Sequence, residues 1–67
     1  MSTIEDLYVI YRLVRKNPFK MDDLPTKYHF ILKNLSSTSF VKYYRANDTY
    51  TILKLGFGAM RQQGMIK

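Results

Sequence analysis

FVKYYRANDTYTILKLG, residues 40–56, sets two runs rich in aromatic and β-branched side chains on either side of Ala46-Asn47-Asp48. Such residues suit a pleated, half-buried surface, and Asn-Asp supplies turn chemistry. The stretch therefore predicts an antiparallel hairpin with strands over 40–45 and 49–55. Alternation sorts the side chains of the first strand into Val41, Tyr43 and Arg45 on one face and Phe40, Lys42 and Tyr44 on the other. In the second strand, Tyr50, Ile52 and Lys54 oppose Thr51, Leu53 and Leu55. Both faces carry aromatics, so the hairpin either completes a small core or offers a surface to a partner.

Upstream, the period changes from two to that of a helix. Ile4, Leu7, Ile10, Tyr11 and Val14 form one apolar stripe, predicting a helix over 3–16. Ser2-Thr3-Ile4-Glu5 fits a capping box at its start, and Arg15, Lys16, Asn17 and Pro18 mark its end. Val9 and Leu13 widen the stripe; they either pack under another element of the same domain, the preferred reading, or meet a second subunit. Residues 19–24 allow one or two helical turns with Met21 and Leu24 inward. Pro25 suits a first helical position, where its missing N–H costs nothing, so a further helix is expected over 26–36. Tyr28, Ile31, Leu32 and Leu35 form its inward stripe, and Ser36-Ser37-Thr38-Ser39 ends it with hydroxyls that compete for backbone groups. At about 100° per residue, Thr26, His29, Phe30, Lys33 and Ser37 then point outward, with Lys27 and Asn34 at the margins. A last short helix over 58–63 follows the hairpin, weakened by Gly56, Gly58 and Gly64.

The chain of 67 residues holds one domain, 1–67, and a domain this small buries only about 60% of its unfolded surface, so a second chain sharing the core is a natural expectation. A hydrophobic content of 46% with 15% aromatic residues argues for a folded protein rather than a disordered one. Cysteine is absent, which excludes disulfides and thiolate metal sites. Without a signal-like start or an apolar run of membrane-spanning length, a cytoplasmic location is the default expectation.

Charge is distributed unevenly. Up to Asp23, Arg12, Arg15, Lys16 and Lys20 cancel Glu5, Asp6, Asp22 and Asp23. Beyond that point Lys27, Lys33, Lys42, Arg45, Lys54, Arg61 and Lys67 face Asp48 alone, which accounts for the whole net charge of +6. A lopsided basic surface concentrates polyanions around it, so nucleic acid is the first partner to consider.

Catalysis has little support in the sequence. His29 is the single histidine, no serine has a spaced base and acid, and Glu5-Asp6 and Asp22-Asp23 are adjacent pairs that diverge on a helix. Gly56-Phe57-Gly58 lacks the rest of a phosphate-loop fingerprint and reads as a strand-to-helix corner. No enzymatic activity, cofactor or metal is expected. The interleaved Tyr and Lys of the hairpin offer single-strand stacking as a minor alternative, although tyrosines in so small a core are mostly structural.

The expected order is helix, short helix, helix, two-stranded hairpin, terminal helix, a mainly helical α+β arrangement. This order resembles the winged helix-turn-helix domain of small transcription regulators, including the PadR-like and MarR-like groups. Those families often read Tyr-Ser-Leu-Thr-x-x-Gly where the wing hands over to the last helix. Here the chain has Tyr50-Thr51-Ile52-Leu53-Lys54-Leu55-Gly56, matching at Tyr50, Ile52 and Gly56, nearly matching at Thr51, and departing at Leu53. Leu35, a short link and Phe40-Val41-Lys42-Tyr43-Tyr44-Arg45 resemble the passage from recognition helix to first wing strand. The likeness covers residues 20–58.

The resemblance implies a dimeric duplex-DNA-binding protein acting in transcription regulation. It would place helix 26–36 in the major groove and Ala46-Asn47-Asp48 at the wing tip, near the backbone or minor groove. Lys27, Lys33, Lys42, Arg45 and Lys54 would contact phosphates, and His29, Asn34 and Ser37 would reach base edges, with Thr26, Phe30 and Asn47 on the same surfaces. The alternative is a protein-interaction module of the same fold, with Phe30, Tyr44, Phe57, Met60 and Met65 as an apolar contact surface.

Overall fold

Apolar residues at helical spacing build the first layer. The computed structural model describes residues 3–67, and α1 (Thr3–Val14) buries Leu7, Ile10 and Val14 on one face. The capping box expected at Ser2 lies outside the described residues. α1 stops two residues earlier than expected because Arg15 adopts a left-handed backbone, φ 55°. Its N–H bonds to the Tyr11 carbonyl at 3.3 Å, closing the helix with a single bond across the left-handed residue. Glycine is usual there, and a side chain costs on the order of 1–2 kcal/mol.

A 3₁₀ turn, Met21–Asp23, follows, with Leu24 buried and Met21 half-buried as expected. Asp23 holds this turn from its far end. Its carboxylate accepts the Lys20 N–H at 2.8 Å and pairs with Lys16 Nζ at 3.2 Å. The Lys20 N–H bond in the first place, and Lys16 after it, hold the Asp23 carboxyl below its ordinary range. Pro25 takes the extended position just before the next helix rather than the first helical one. A 3₁₀ turn, Thr26–Tyr28, leads into α2 (His29–Leu35). Leu32 and Leu35 are buried, Tyr28 and Ile31 half-buried, so the predicted inward stripe is the observed one. Ser36, Ser37 and Thr38 each donate a side-chain hydroxyl to the carbonyl three residues back and end the helix.

The hairpin consists of β1 (Val41–Tyr44) and β2 (Thr49–Ile52), antiparallel, with Val41 opposite Ile52 and Tyr43 opposite Tyr50. Val41, Tyr50 and Ile52 are buried on its inner face, and Tyr43 lies over Tyr50 with ring centroids 4.7 Å apart. Lys42, Tyr44, Thr49 and Thr51 form the other face. The edge of β2 away from β1 is also covered. Phe19 and Tyr50 exchange N–H to carbonyl bonds at 2.9 and 2.7 Å. Two residues along, Asn17 Nδ2 donates to the Ile52 carbonyl at 3.1 Å, and its Oδ1 accepts the Ile52 N–H at 2.8 Å. No backbone edge of β2 is left for another chain to pair with at these two residues.

α3 (Lys54–Gln62) starts four residues earlier than the sequence predicts. Leu53 is its N-cap, so β2 ends at Ile52, and Lys54 and Leu55 belong to a helix. Gly56 is buried inside that helix, facing the Phe40 carbonyl, Ile52 and Leu7. Met60 fills the centre of the core from the same face, with no exposed surface. Gly64 ends the helix rather than weakening it. At φ 72° it donates to the Arg61 carbonyl while Met65 N–H reaches the Met60 carbonyl, the paired bonds of a Schellman motif. α1 packs against both α2 and α3. Val9 and Leu13, expected to lie under another element, are instead 38% and 42% exposed on the flank of the Leu7–Ile10–Val14 face.

Candidate nucleic-acid interface

Phe30, Lys33 and Asn34 stand at i, i+3 and i+4 on α2 and share its solvent face. Thr26 and Lys27 extend that surface from the preceding 3₁₀ turn; Lys27 Nζ lies 5.2 Å from the centroid of the Tyr28 ring. Phe30 is 73% exposed, an unusual state for a phenylalanine in so small a protein.

Two of the residues expected to read bases are committed elsewhere. His29 is half-buried, and its Nε2 lies 3.0 Å from the Leu24 carbonyl, which can only accept; the ring therefore donates there and ties α2 to the preceding turn. The Ser37 hydroxyl donates to the Asn34 carbonyl at 2.8 Å, which leaves it acceptor capacity only. The two cases differ: His29 bonds to the Leu24 carbonyl of the preceding turn, whereas the Asn34 carbonyl also accepts the Ser37 backbone N–H at 3.2 Å, so the Ser37 hydroxyl adds a second bond at the helix end.

On the hairpin, Lys42 and Tyr44 stand side by side on the outer face, with the ammonium 5.2 Å from the ring centroid. Arg45 and Asn47 are exposed in the connecting turn. Asp48 follows them at φ 53°, and its Oδ1 accepts the Tyr43 hydroxyl at 2.8 Å. That hydrogen bond to the carboxylate, with desolvation, raises the Tyr43 pKa above its ordinary value. An acid at the tip of a basic hairpin thus has a structural task. Lys54, expected at the end of the second strand, is exposed on a different element. It opens α3 and lines a groove of about 480 Å³ with Ile4, Phe40, Leu55 and Gln62.

Lys33, Arg45 and Lys54 take part in no ion pair among the described residues. Their charge is free to act on an external anion. Of the residues expected in an apolar contact surface, Phe30 and Tyr44 are exposed. Met60 is fully buried, and Phe57 and Met65 are half-buried against the core. Met60 therefore belongs to the core rather than to a contact surface, because α3 turns it inward.

A second basic group escapes the sequence because its charges sum to zero along the chain with acids of which only Asp23, among the described residues, pairs with it, through Lys16. Tyr11, Arg12, Arg15, Lys16 and Asn17 line a groove of about 400 Å³ at the C-terminal end of α1. Glu5 and Asp6 occupy the first turn of the same helix, about 10 Å away at 1.5 Å per residue. Separation of sign along one helix was the signal available in the sequence.

Among the described residues, no group of three or more His, Cys, Asp or Glu side chains could hold a metal ion, and no helix is long and apolar enough to cross a membrane. No protein-family profile, curated protein or solved structure matches the chain.

Proposed function

We propose that this chain is a small winged helix-turn-helix protein that binds duplex DNA and regulates transcription, with α2 and its preceding turn in the major groove and the hairpin as wing. The observation that carries the reading is the placement of unpaired cations on two exposed elements, Lys33 on α2 and Arg45 in the hairpin turn, with Lys27 in the turn before α2 and Lys42 on β1 as further exposed bases. The order of elements supports it as well. A groove about 12 Å wide admits one helix. Lys27, Lys33, Lys42 and Arg45 would hold the backbone, while the Asn34 amide suits an adenine edge and Phe30 a thymine methyl. His29 acts in this scheme by positioning α2, and Lys54 lies outside the contact.

The test is fluorescence anisotropy of a labelled duplex of about 20 base pairs across a salt series. Four phosphate contacts correspond to a log–log slope of about −3.6. Lys33→Ala and Arg45→Ala are each expected to make the slope shallower by about one and to weaken binding at low salt. Absence of salt-dependent binding would remove this reading. The second reading, a protein-interaction module, is favoured by one observation: Phe30 at 73% and Leu55 at 64% exposure are large apolar side chains left in water.

A further inference from the structure

We infer that the groove at the C-terminal end of α1 is a binding site for a phosphate group, held by Arg12, Arg15 and Lys16 against Tyr11 and Asn17. This site is separate from the α2 and hairpin surfaces, and the inference does not rest on DNA binding by them.

The walls of the groove are held in place. Tyr11 lies between two rings, stacked with Tyr8 at 6.4 Å and edge-on to Phe57 at 6.0 Å between centroids. Asn17 is clamped to both backbone groups of Ile52. Arg12 is propped by Tyr8, donating from Nη1 to the hydroxyl at 2.8 Å with its guanidinium carbon 5.7 Å from the ring centroid. That bond uses one of five guanidinium donors and leaves the others for a ligand. Lys16 is braced by Asp23 at 3.2 Å, with its side chain still 59% exposed.

Arg15 decides between a ligand site and ordinary charge at a helix end. Cations in the last turn offset the partial negative charge of about −0.5 there, but a helical position serves that purpose equally well. Arg15 instead occupies the left-handed closing position where, at the end of α3, the same chain uses Gly64. A residue held in a disfavoured backbone region, at the mouth of a groove, points to a task for its side chain. Three cations against the single Asp23 carboxylate and a half-charge of dipole leave a clear positive surplus.

Phosphate fits this surplus better than a carboxylate. Its terminal oxygens, three in a monoester and two in a backbone diester, can be shared among two guanidinium forks and one ammonium, and arginine binds such oxygens through paired N–H donors. A volume of about 400 Å³ exceeds a bare ion and leaves room for what the phosphate is attached to. The phosphate could belong to a small monoester or to a nucleic acid backbone.

The experiment follows amide and arginine side-chain resonances of the full chain during titration with inorganic phosphate and adenosine 5′-monophosphate, against sodium chloride at matched ionic strength. Saturable shifts centred on Arg12, Arg15, Lys16 and Asn17 are expected. Arg15→Gly is the decisive variant: affinity should fall about tenfold or more, while Tm stays at or above the parent value because glycine relaxes the backbone. Arg15→Lys should retain part of the affinity. Shifts that match those from chloride, or undiminished binding by folded Arg15→Gly, would overturn the inference. A parallel titration with the DNA duplex separates the sources. Shifts at these residues with DNA, lost in Arg15→Gly but kept in Lys33→Ala, assign the phosphate to a nucleic acid backbone; shifts with the monoester alone assign it to a small ligand.

Discussion

Gly56, Gly58 and Gly64 share one short stretch yet answer to different physics. A Cβ on Gly56 would lie 2.8 Å from the Phe40 carbonyl oxygen, 3.0 Å from Ile52 Cγ2 and 3.2 Å from Leu7 Cδ2. The nearest obstacle is backbone that also accepts the Leu53 N–H at 2.8 Å, so it cannot give way cheaply. Gly56→Ala should therefore destabilise, with an overpacking cost of about 1–3 kcal/mol outweighing about 1 kcal/mol gained in helix propensity. Nothing lies within 4 Å of a Cβ on Gly58. Gly58→Ala should stabilise by about 0.5–1 kcal/mol through reduced unfolded-state entropy. Thermal unfolding reads both: Tm should fall for the first variant and rise by about 2–8 °C for the second. Equal signs would show that the approach of α3 to Phe40 is not what selects glycine at 56.

β2 is the element on which the others depend. β1 pairs one edge, and Phe19 with the Asn17 side chain pairs the other, across 35 residues in the case of Asn17. A single amide group substitutes for a strand residue, offering the donor and the acceptor that Ile52 needs. Asn17→Ala would leave both Ile52 groups without their partner and should cost about 1–3 kcal/mol. The expected signature is a lower denaturant midpoint with an unchanged m-value, and faster exchange of the Ile52 amide proton. Because Asn17 also lines the α1 groove, the same bond that closes the β2 edge holds one wall of the proposed phosphate site.

At the scale of the molecule, stability and charge are arranged around the tyrosines and the basic surface. Burial raises the Tyr50 pKa, and the bond to Asp48 raises that of Tyr43. A raised folded value means that the fold favours the neutral phenol. The associated stability is complete below the ordinary tyrosine value of about 10 and is lost as pH climbs through the folded values. Tm should consequently decline above about pH 10, and Tyr50→Phe, which keeps the ring and removes the ionising group, should decline less steeply. The salt-dependent DNA titration belongs to this scale too, since under the proposed reading its slope sums the cations of α2 and the hairpin.

The hairpin, the inward stripes of α1 and α2, and the mainly helical α+β order were legible in the sequence, because periods of two and 3.6 are local properties of the chain. The start of α3 was not. Glycine propensity argues against a helix through Gly56, and only the approach of Phe40, sixteen residues away, makes glycine the residue that fits. The lysines of α2 and the hairpin were identifiable as exposed cations, whereas the bonds of His29 to the Leu24 carbonyl and of the Ser37 hydroxyl to the Asn34 carbonyl depend on how the helix ends are folded. The basic groove on α1 was hidden by a sum: of the acids that cancel its charge along the chain, Asp23 pairs with Lys16, while Glu5 and Asp6 sit at the far end of the helix. The sequence by itself determined which segments are helix or strand and which faces are apolar, since those follow from neighbours within a few residues. Tertiary structure alone decided where α3 begins, which edge Asn17 completes and where positive charge accumulates, since each depends on atoms that are close in space and distant in sequence.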